Sequence, residues 1–425
     1  MGKSKLTLAI FIGLIAGIFV GWLLPDVGVA LAPVSVMFLK MIKMIIAPLV
    51  LSTLVVGIAS HRHIGKLAFK TILYFEIATT LALVFGLLVG NIFKPGAGMD
   101  TSHFAHLSTE SPAFKSLIEN AHAIEPTLMG FIDHTIPESV FQAMSEGNIL
   151  QIVVFAIFLA MAVSAIGDKG KPVLEALKSL AETMFKFTEY IMYFAPIGVF
   201  AAIAAAVGAN GIGVILPCLK IIVALYATLV VFVTVVLLVA CMIAKIPFFS
   251  LLSTIKEPAL LAFSTASSEA ALPKAMELME KFGVPKNIVS FVMPTGYTFN
   301  LDGSTLYLSL AVLFCAQVGG VELPLAQQLL IMLALMLTSK GIAAVPRVSL
   351  VVLVATIGGF NIPMMGVLIL LGIDQLLDMG RTTVNLIGNC VATTIVARWE
   401  NCFDYDKMHA YIAANKLQPA VVTVE

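Results

Sequence analysis

Long apolar runs separated by short polar breaks dominate the chain. Segments such as LTLAIFIGLIAGIFVGWLL (6–24) and VALYATLVVFVTVVLLVACMIA (223–244) hold the ~20 apolar residues needed to cross a ~30 Å hydrocarbon layer. Runs of this kind predict eight spans, near 6–25, 30–59, 67–93, 149–167, 183–207, 213–244, 286–318 and 364–398. Two further apolar segments, 247–280 and 325–361, are interrupted by small polar residues and a proline, STASSEAALP (264–273) and SKGIAAVP (339–346). In lipid every backbone N–H and C=O must be satisfied, so such a break must line a cavity or be buried in protein. Both segments therefore predict re-entrant helical hairpins. Each is followed by a helix carrying polar groups, and broken segments at corresponding places of two halves are the sequence pointer to a transporter's binding site.

Composition supports this pattern. Of 425 residues 60% are hydrophobic and 12% charged, with a mean hydropathy of +1.02, against about 25% charged residues in a soluble domain. The expected fold is an all-α membrane protein with eight transmembrane helices and two re-entrant hairpins. The 25 basic and 25 acidic residues cancel, which leaves no nucleic-acid footprint. Cys218, Cys241, Cys315, Cys390 and Cys402 have no CxxC or Cys/His spacing, so they read as small hydrophobes, with neither a disulfide framework nor a zinc site. The first apolar run lacks a small-residue cleavage site and reads as a span that stays in the protein.

Lysine and arginine in loops set the orientation. With Lys3 and Lys5 inside, the loops holding Arg62, Lys66 and Lys70, Lys169 and Lys171, Lys245, and Lys281 and Lys286 fall inside, as does the end after Arg398. Both termini are thus expected in the cytoplasm. The connections near 208–212 and 319–324 carry no Lys or Arg and fall outside. So does the segment 94–148, which reads as a mobile loop followed by an interfacial helix.

The stretch IDQLLDMGRTTVNLIGN (373–389) places Asp374, Asp378, Arg381, Asn385 and Asn389 in an apolar setting. At ~100° per residue they share roughly an 80° sector of one helical face. An ionisable residue at the bilayer centre costs ~2.5–3.5 kcal/mol or more, so a stripe of them faces a bundle interior or an aqueous cavity. The bland alternative is an Asp–Arg pair that only joins helices. Asn300, Asp302, Ser304 and the Ser267–Ser268 tip add separate polar breaks and favour a site. Arg381 offers a planar fork for a carboxylate, and Asp378 supplies the opposite charge one turn away. Backbone amides at a hairpin tip or half-helix N-terminus can take a second carboxylate. A zwitterionic diacid, an acidic amino acid, fits this set; a C4-dicarboxylate leaves Asp378 without a cationic partner.

The motifs PTGYTFNLDGSTLY (294–307), STASSEAALP and DQLLDMGRTTVNLIGN, with FLKMIKMIIAPLVLSTLVVGIAS (38–60) and FKPGAGM (93–99), resemble the glutamate/aspartate transporter family. These are the dicarboxylate/amino acid:cation symporters, and the likeness is closest to bacterial proton–glutamate symporters. The resemblance implies an inverted-repeat elevator transporter assembled as a homotrimer. Scaffold helices 1 and 2 would occupy 1–65 and scaffold helices 4 and 5 would occupy 149–208. A transport domain would comprise helix 3 (66–93) and 209–402, with helix 6, hairpin 1, helix 7, hairpin 2 and helix 8. An external loop and interfacial helix (94–148) and a cytoplasmic tail (403–425) would complete the chain. It also implies roles: Arg381 for the side-chain carboxylate, Asp378 and Thr382 for the amino group, Asn385 with Ser268 for the α-carboxylate. Ser304 and the backbone at Val345 complete that pocket, and Ser339, Lys340, Pro346 and Arg347 lie in the hairpin that resembles the outer gate.

Departures from the sodium-coupled members bear on the driving ion. Asn389 stands where those members carry a carboxylate, Leu301 replaces the methionine of Asn-Met-Asp-Gly, and Phe75 and Ala78 replace Tyr and Thr ligands. Glu76 lies on the third span instead, where a carboxyl withdrawn from water suits proton carriage; the alternative is a carboxyl paired with a neighbouring base. Protons are therefore the expected coupling ion, with no cofactor. Asn300, Asp302 and Thr79 remain as the remnant of a cation site that could still take Na⁺, and Asp302 or Asp374 are alternative proton carriers. At the second hairpin, relatives read Gly-Val-Pro-Gly and this chain reads Ala344-Val345-Pro346-Arg347. Arg347 could attract substrate, pair with a carboxylate or point into the outer vestibule. Lys340 could snorkel to water or answer a buried acid.

An intramembrane hydrolase built on Ser267–Ser268–Glu269 lacks a histidine in any membrane segment. A passive anion channel lined by Arg381, Arg347 and Lys340 is disfavoured by Asp374 and Asp378 in the same stripe. Expected partners are a small acidic amino acid, membrane lipid and further copies of the chain. The expected location is a bacterial inner membrane.

Overall fold

The computed structural model describes residues 3–59, 64–99, 136–146, 149–215, 218–338, 348–360 and 362–415, and all regular structure among them is helical. The gate residues Ser339, Lys340, Pro346 and Arg347, and Val345, lie outside the described residues. Among the described residues, three helices are by themselves long and apolar enough to cross a membrane: Gly65–Phe93, Leu219–Ile243 and Lys286–Val318. These coincide with the expected third, sixth and seventh spans. The expected first, second, fourth and eighth spans fall on Lys3–Leu23, Ala32–Ala59, Ile149–Ala165 and Met365–Trp399.

The boundaries differ from expectation in two places. The apolar run 183–207 is divided between Lys171–Met192 and Ala195–Ile215, bent by 58° at the break. Pro196 sits in the first turn of the second helix, where it lacks an N–H and crowds the preceding turn. The segment 208–212, expected as an external connection, continues that second helix, and span six begins at Leu219 rather than 213. Absence of Lys and Arg marks a side of the membrane and says little about where a helix stops.

Close approach shapes the packing of the first helix. A Cβ at Gly13, Gly17 or Gly21 would lie 2.5, 2.7 or 2.6 Å from the carbonyl oxygens of Pro196, Phe200 and Ala204. The four-residue spacing forms a smooth stripe along which the two backbones meet, the usual means by which apolar helices associate without a hydrophobic drive. The third-span helix meets Asp302–Val318 in the same way through Gly86 and Gly90. Gln328 and Asn91 exchange hydrogen bonds of 2.7 and 3.2 Å, joining that span to the helix Leu325–Thr338.

The segment 247–280 forms two packed helices, Phe248–Thr265 and Ser268–Lys281, around a turn at Ala266 with φ +48°. Ser267 caps the second, its hydroxyl accepting from the Ala270 N–H at 3.3 Å. The seventh span is broken: Lys286–Phe299 stops at Asn300–Leu301 and Asp302–Val318 restarts. Residues 405–414 of the expected tail form a packed helix with Met408 and Ile412 buried at i and i+4. Its approach is fixed by the Asp404 N–H donating to the Gly283 carbonyl at 2.9 Å.

Candidate functional site

Two helices supply the polar centre. The helix Met365–Trp399 runs unbroken through the stripe, so Asp374, Asp378, Arg381, Asn385 and Asn389 do share a face. Opposite it lies the break at Asn300–Leu301, where the N-terminus of Asp302–Val318 exposes backbone donors. Asn385 answers them. Its Oδ1 accepts from the Gly303 and Ser304 N–H groups at 2.8 and 3.1 Å, and its Nδ2 donates to Ser304 Oγ at 3.0 Å. A side chain expected to hold substrate thus also caps a broken span.

Arg381 is 1% exposed, among the most buried large side chains in the protein. Its Nε donates to Asp378 Oδ1 and its Nη2 to Asp374 Oδ1, both at 2.8 Å. Thr382 Oγ1 donates to the same Asp378 oxygen at 2.9 Å. The guanidinium carbon lies 4.5 Å from the Tyr307 ring centroid, an attraction that strengthens when desolvated. Among the described residues, Nη1 of Arg381 has no hydrogen-bond partner. The fork expected to hold a substrate carboxylate is therefore partly engaged: two nitrogens are held by carboxylates, and the third is buried without a hydrogen-bond partner among the described residues. Asp374 is buried at 3%, whereas the Asp378 side chain is 26% exposed. Asp378 is the more exposed of the two carboxylates.

One turn further along, Asn389, Asn300 and Asp302 form a second, fully buried group. Asn300 Nδ2 donates to Asp302 Oδ2 and to Asn389 Oδ1, each at 3.1 Å. Among the described residues, Asn300 Oδ1, Asn389 Nδ2, Thr298 Oγ1 and Tyr297 Oη are buried without a partner, and a buried polar atom left so costs ~1–3 kcal/mol. An acceptor oxygen beside a buried carboxylate is chemically suited to a small cation or a proton. A Cβ at Gly296 would meet Asn389 Oδ1 and, at 3.3 Å, the Phe75 ring, so Phe75 closes this group from the third span. Thr79 on the same helix is buried. No cluster of three or more His, Cys, Asp or Glu side chains suited to a metal occurs among the described residues.

The remaining expected residues are placed as follows. Asp374 belongs with Arg381 and not with the Asn300–Asp302–Asn389 group. Ser268 is half-buried at the start of a helix that packs on the long one. Glu76, expected to be buried, is half-buried, because its helix turns Phe75 and Thr79 rather than Glu76 most fully inward. Sequence reasoning missed Tyr307, although it ends the quoted motif three residues after Ser304 and so shares its face. It also missed Gly303 and Gly388, where a Cβ would strike the Arg381 backbone and the Asp302 carboxylate.

A buried guanidinium held by two carboxylates beside an interrupted helix is the kind of polar centre that membrane transport proteins build. The chain belongs to the sodium:dicarboxylate symporter family, which it matches over residues 6–399. It is 46% identical to the proton/sodium-glutamate symport protein of Geobacillus stearothermophilus, over 97% of this chain and 99% of that one. It is 39% identical to the proton/glutamate-aspartate symporter of Escherichia coli, over 96% of each. The C4-dicarboxylate transport protein of Bacillus subtilis is 40% identical over 98% and 99%. The family comprises cation-coupled symporters of acidic amino acids or dicarboxylates.

Proposed function

We propose that the protein takes up glutamate and aspartate together with protons, as an elevator-type homotrimer in a bacterial inner membrane with both termini cytoplasmic. The observation that carries this reading is the buried Nη1 of Arg381, without a hydrogen-bond partner among the described residues, beside the partly exposed Asp378. One atom takes a carboxylate and the other an ammonium group, as an acidic amino acid requires. Overall identity does not choose the substrate, since glutamate and C4-dicarboxylate relatives lie at 46% and 40%. Asp378 favours the amino acid: its Oδ1 is already paired with Arg381 Nε, and an ammonium group that a dicarboxylate lacks would give the carboxylate a second cationic partner.

Charge argues for coupling. Among the described residues, Asp374, Asp378 and Asp302 stand against Arg381, and a substrate of net negative charge adds to an already acidic, buried centre. At low local dielectric such repulsion is large, so entry of a proton or cation with the substrate offsets it. The group Asn300, Asp302, Asn389 and Thr79 is the proposed coupling site, with Glu76 and Asp374 as further carboxyls for the proton. Ser268, Asn385, Ser304, Thr382 and the backbone at Val345 complete the substrate pocket. The two interrupted segments are read as re-entrant hairpins, with 339–347 as the gate.

Uptake of labelled glutamate into proteoliposomes, with pH and sodium gradients imposed separately, tests the coupling. An inward acid gradient in sodium-free buffer should drive accumulation; uptake that stays flat there and rises only with Na⁺ would refute proton coupling. Asp378→Ser tests the substrate: calorimetry should show glutamate binding lost and succinate binding spared or improved. Equal loss of both ligands would count against the role given to Asp378.

A further inference from the structure

Span six brings a hydroxyl to the helix that carries the site. Tyr226 Oη donates to the Leu376 carbonyl at 2.7 Å. That carbonyl is also the regular acceptor for the Gly380 N–H, four residues on in the helical ladder. Leu376 and Gly380 bracket Asp378, so the phenol grips the turn from which Asp378 projects. A second, independent feature places the ring. A Cβ at Gly380 would lie 3.0 Å from Tyr226 Cε1 and Cζ and 3.0 Å from Leu229 Cδ1. With no side chain there, the ring lies flush on the helix one residue before Arg381.

The mechanism described so far does not use Tyr226. Asp378 Oδ1 already accepts from Arg381 Nε and Thr382 Oγ1, so its remaining capacity points to a narrow range of directions. A tilt of the 376–380 turn would swing that capacity away from a bound ammonium group without breaking any bond within the long helix. From this geometry we infer that Tyr226 is a positioning residue that aims Asp378 at the substrate's amino group. The inference rests on the reading of Asp378 given above. Tyr226 need not touch the substrate. It holds the turn through the hydroxyl and sets its height through the ring seated on Gly380.

Tyr226→Phe keeps the ring and removes the donor. In proteoliposomes the variant should raise the KM for glutamate about tenfold while Vmax stays within about twofold, and its melting temperature in detergent should match the parent's. A general structural defect would instead lower Vmax and the melting temperature together. Gly380→Ala, which lifts the ring while leaving the hydroxyl present, should also raise KM. If Gly380→Ala fails to fold, Tyr226→Phe alone decides. An unchanged KM in Tyr226→Phe, or a fall in Vmax at constant KM, overturns the inference while leaving the substrate assignment standing. Parent vesicles that take up no glutamate overturn the substrate assignment, and this inference with it.

Discussion

Arg381→Ala should abolish glutamate binding and, separately, destabilise the protein by ~3–5 kcal/mol, the usual cost of removing one partner from a buried ion pair. The two losses have different origins. Binding fails because Nη1 disappears with the side chain. Stability falls because Asp374, 3% exposed and 2.8 Å from Nη2, loses the cation of a buried ion pair, and because Tyr307 loses the cation stacked on its ring. Asp378 suffers less, since its side chain is 26% exposed. The double variant Arg381→Ala with Asp374→Asn separates the two effects. It should recover most of the thermal stability in detergent, since residue 374 then carries no charge that has lost its Arg381 counter-ion, and recover no glutamate binding by calorimetry. Arg381→Lys should behave nearly as badly as alanine for binding, because one ammonium cannot meet Asp374, Asp378 and a ligand carboxylate in fork geometry. Detectable glutamate binding by Arg381→Ala, or a double variant no more stable than the single, would contradict this account.

Much of this arrangement is legible in the sequence, and the parts that are not share a physical reason. The stripe from Asp374 to Asn389 could be placed on one face because helical periodicity is local and the cost of charge in lipid is general. The break at Asn300 could be suspected from its polar neighbours. What periodicity cannot express is how a side chain divides its bonds among partners distant in sequence. Asn385 reads as a ligand amide, yet it spends its oxygen on the N–H groups of Gly303 and Ser304, more than eighty residues away. Arg381 reads as a free fork, yet two of its nitrogens are taken within its own helix. Tyr226 is one of three hydroxyl side chains in the apolar run 223–244, with Thr228 and Thr234, and nothing local distinguishes it from an interfacial tyrosine. Glycines are hardest of all, because Gly296, Gly303 and Gly388 matter through atoms that they lack and through neighbours supplied by other helices.

Gly388 carries the clearest consequence of that kind. It sits one residue before Asn389 on the long helix, and a methyl there would occupy the place of Asp302 Oδ2. Asp302 is fully buried and held at 3.1 Å by Asn300 Nδ2, so Gly388→Ala must push the carboxylate out of the Asn300–Asn389 group or part the helices. Overpacking of this sort costs ~1–3 kcal/mol, which corresponds to a roughly ten- to hundredfold loss in whatever the displaced group binds. Arg381 lies seven residues away, ~10 Å along the axis at the helical rise, far enough for the contacts of Arg381 and Asp378 to keep their geometry, whereas Asn385, three residues away and bonded to Gly303 and Ser304, feels the change. Gly388→Ala should therefore lose gradient-driven glutamate uptake by about ten- to a hundredfold. Its residual glutamate binding should cease to respond to pH and to Na⁺, as measured by calorimetry across both. Proteoliposomes of the variant that accumulate glutamate at the parental rate would show that Asp302 has no part in coupling, and would move the proton to Glu76 or Asp374.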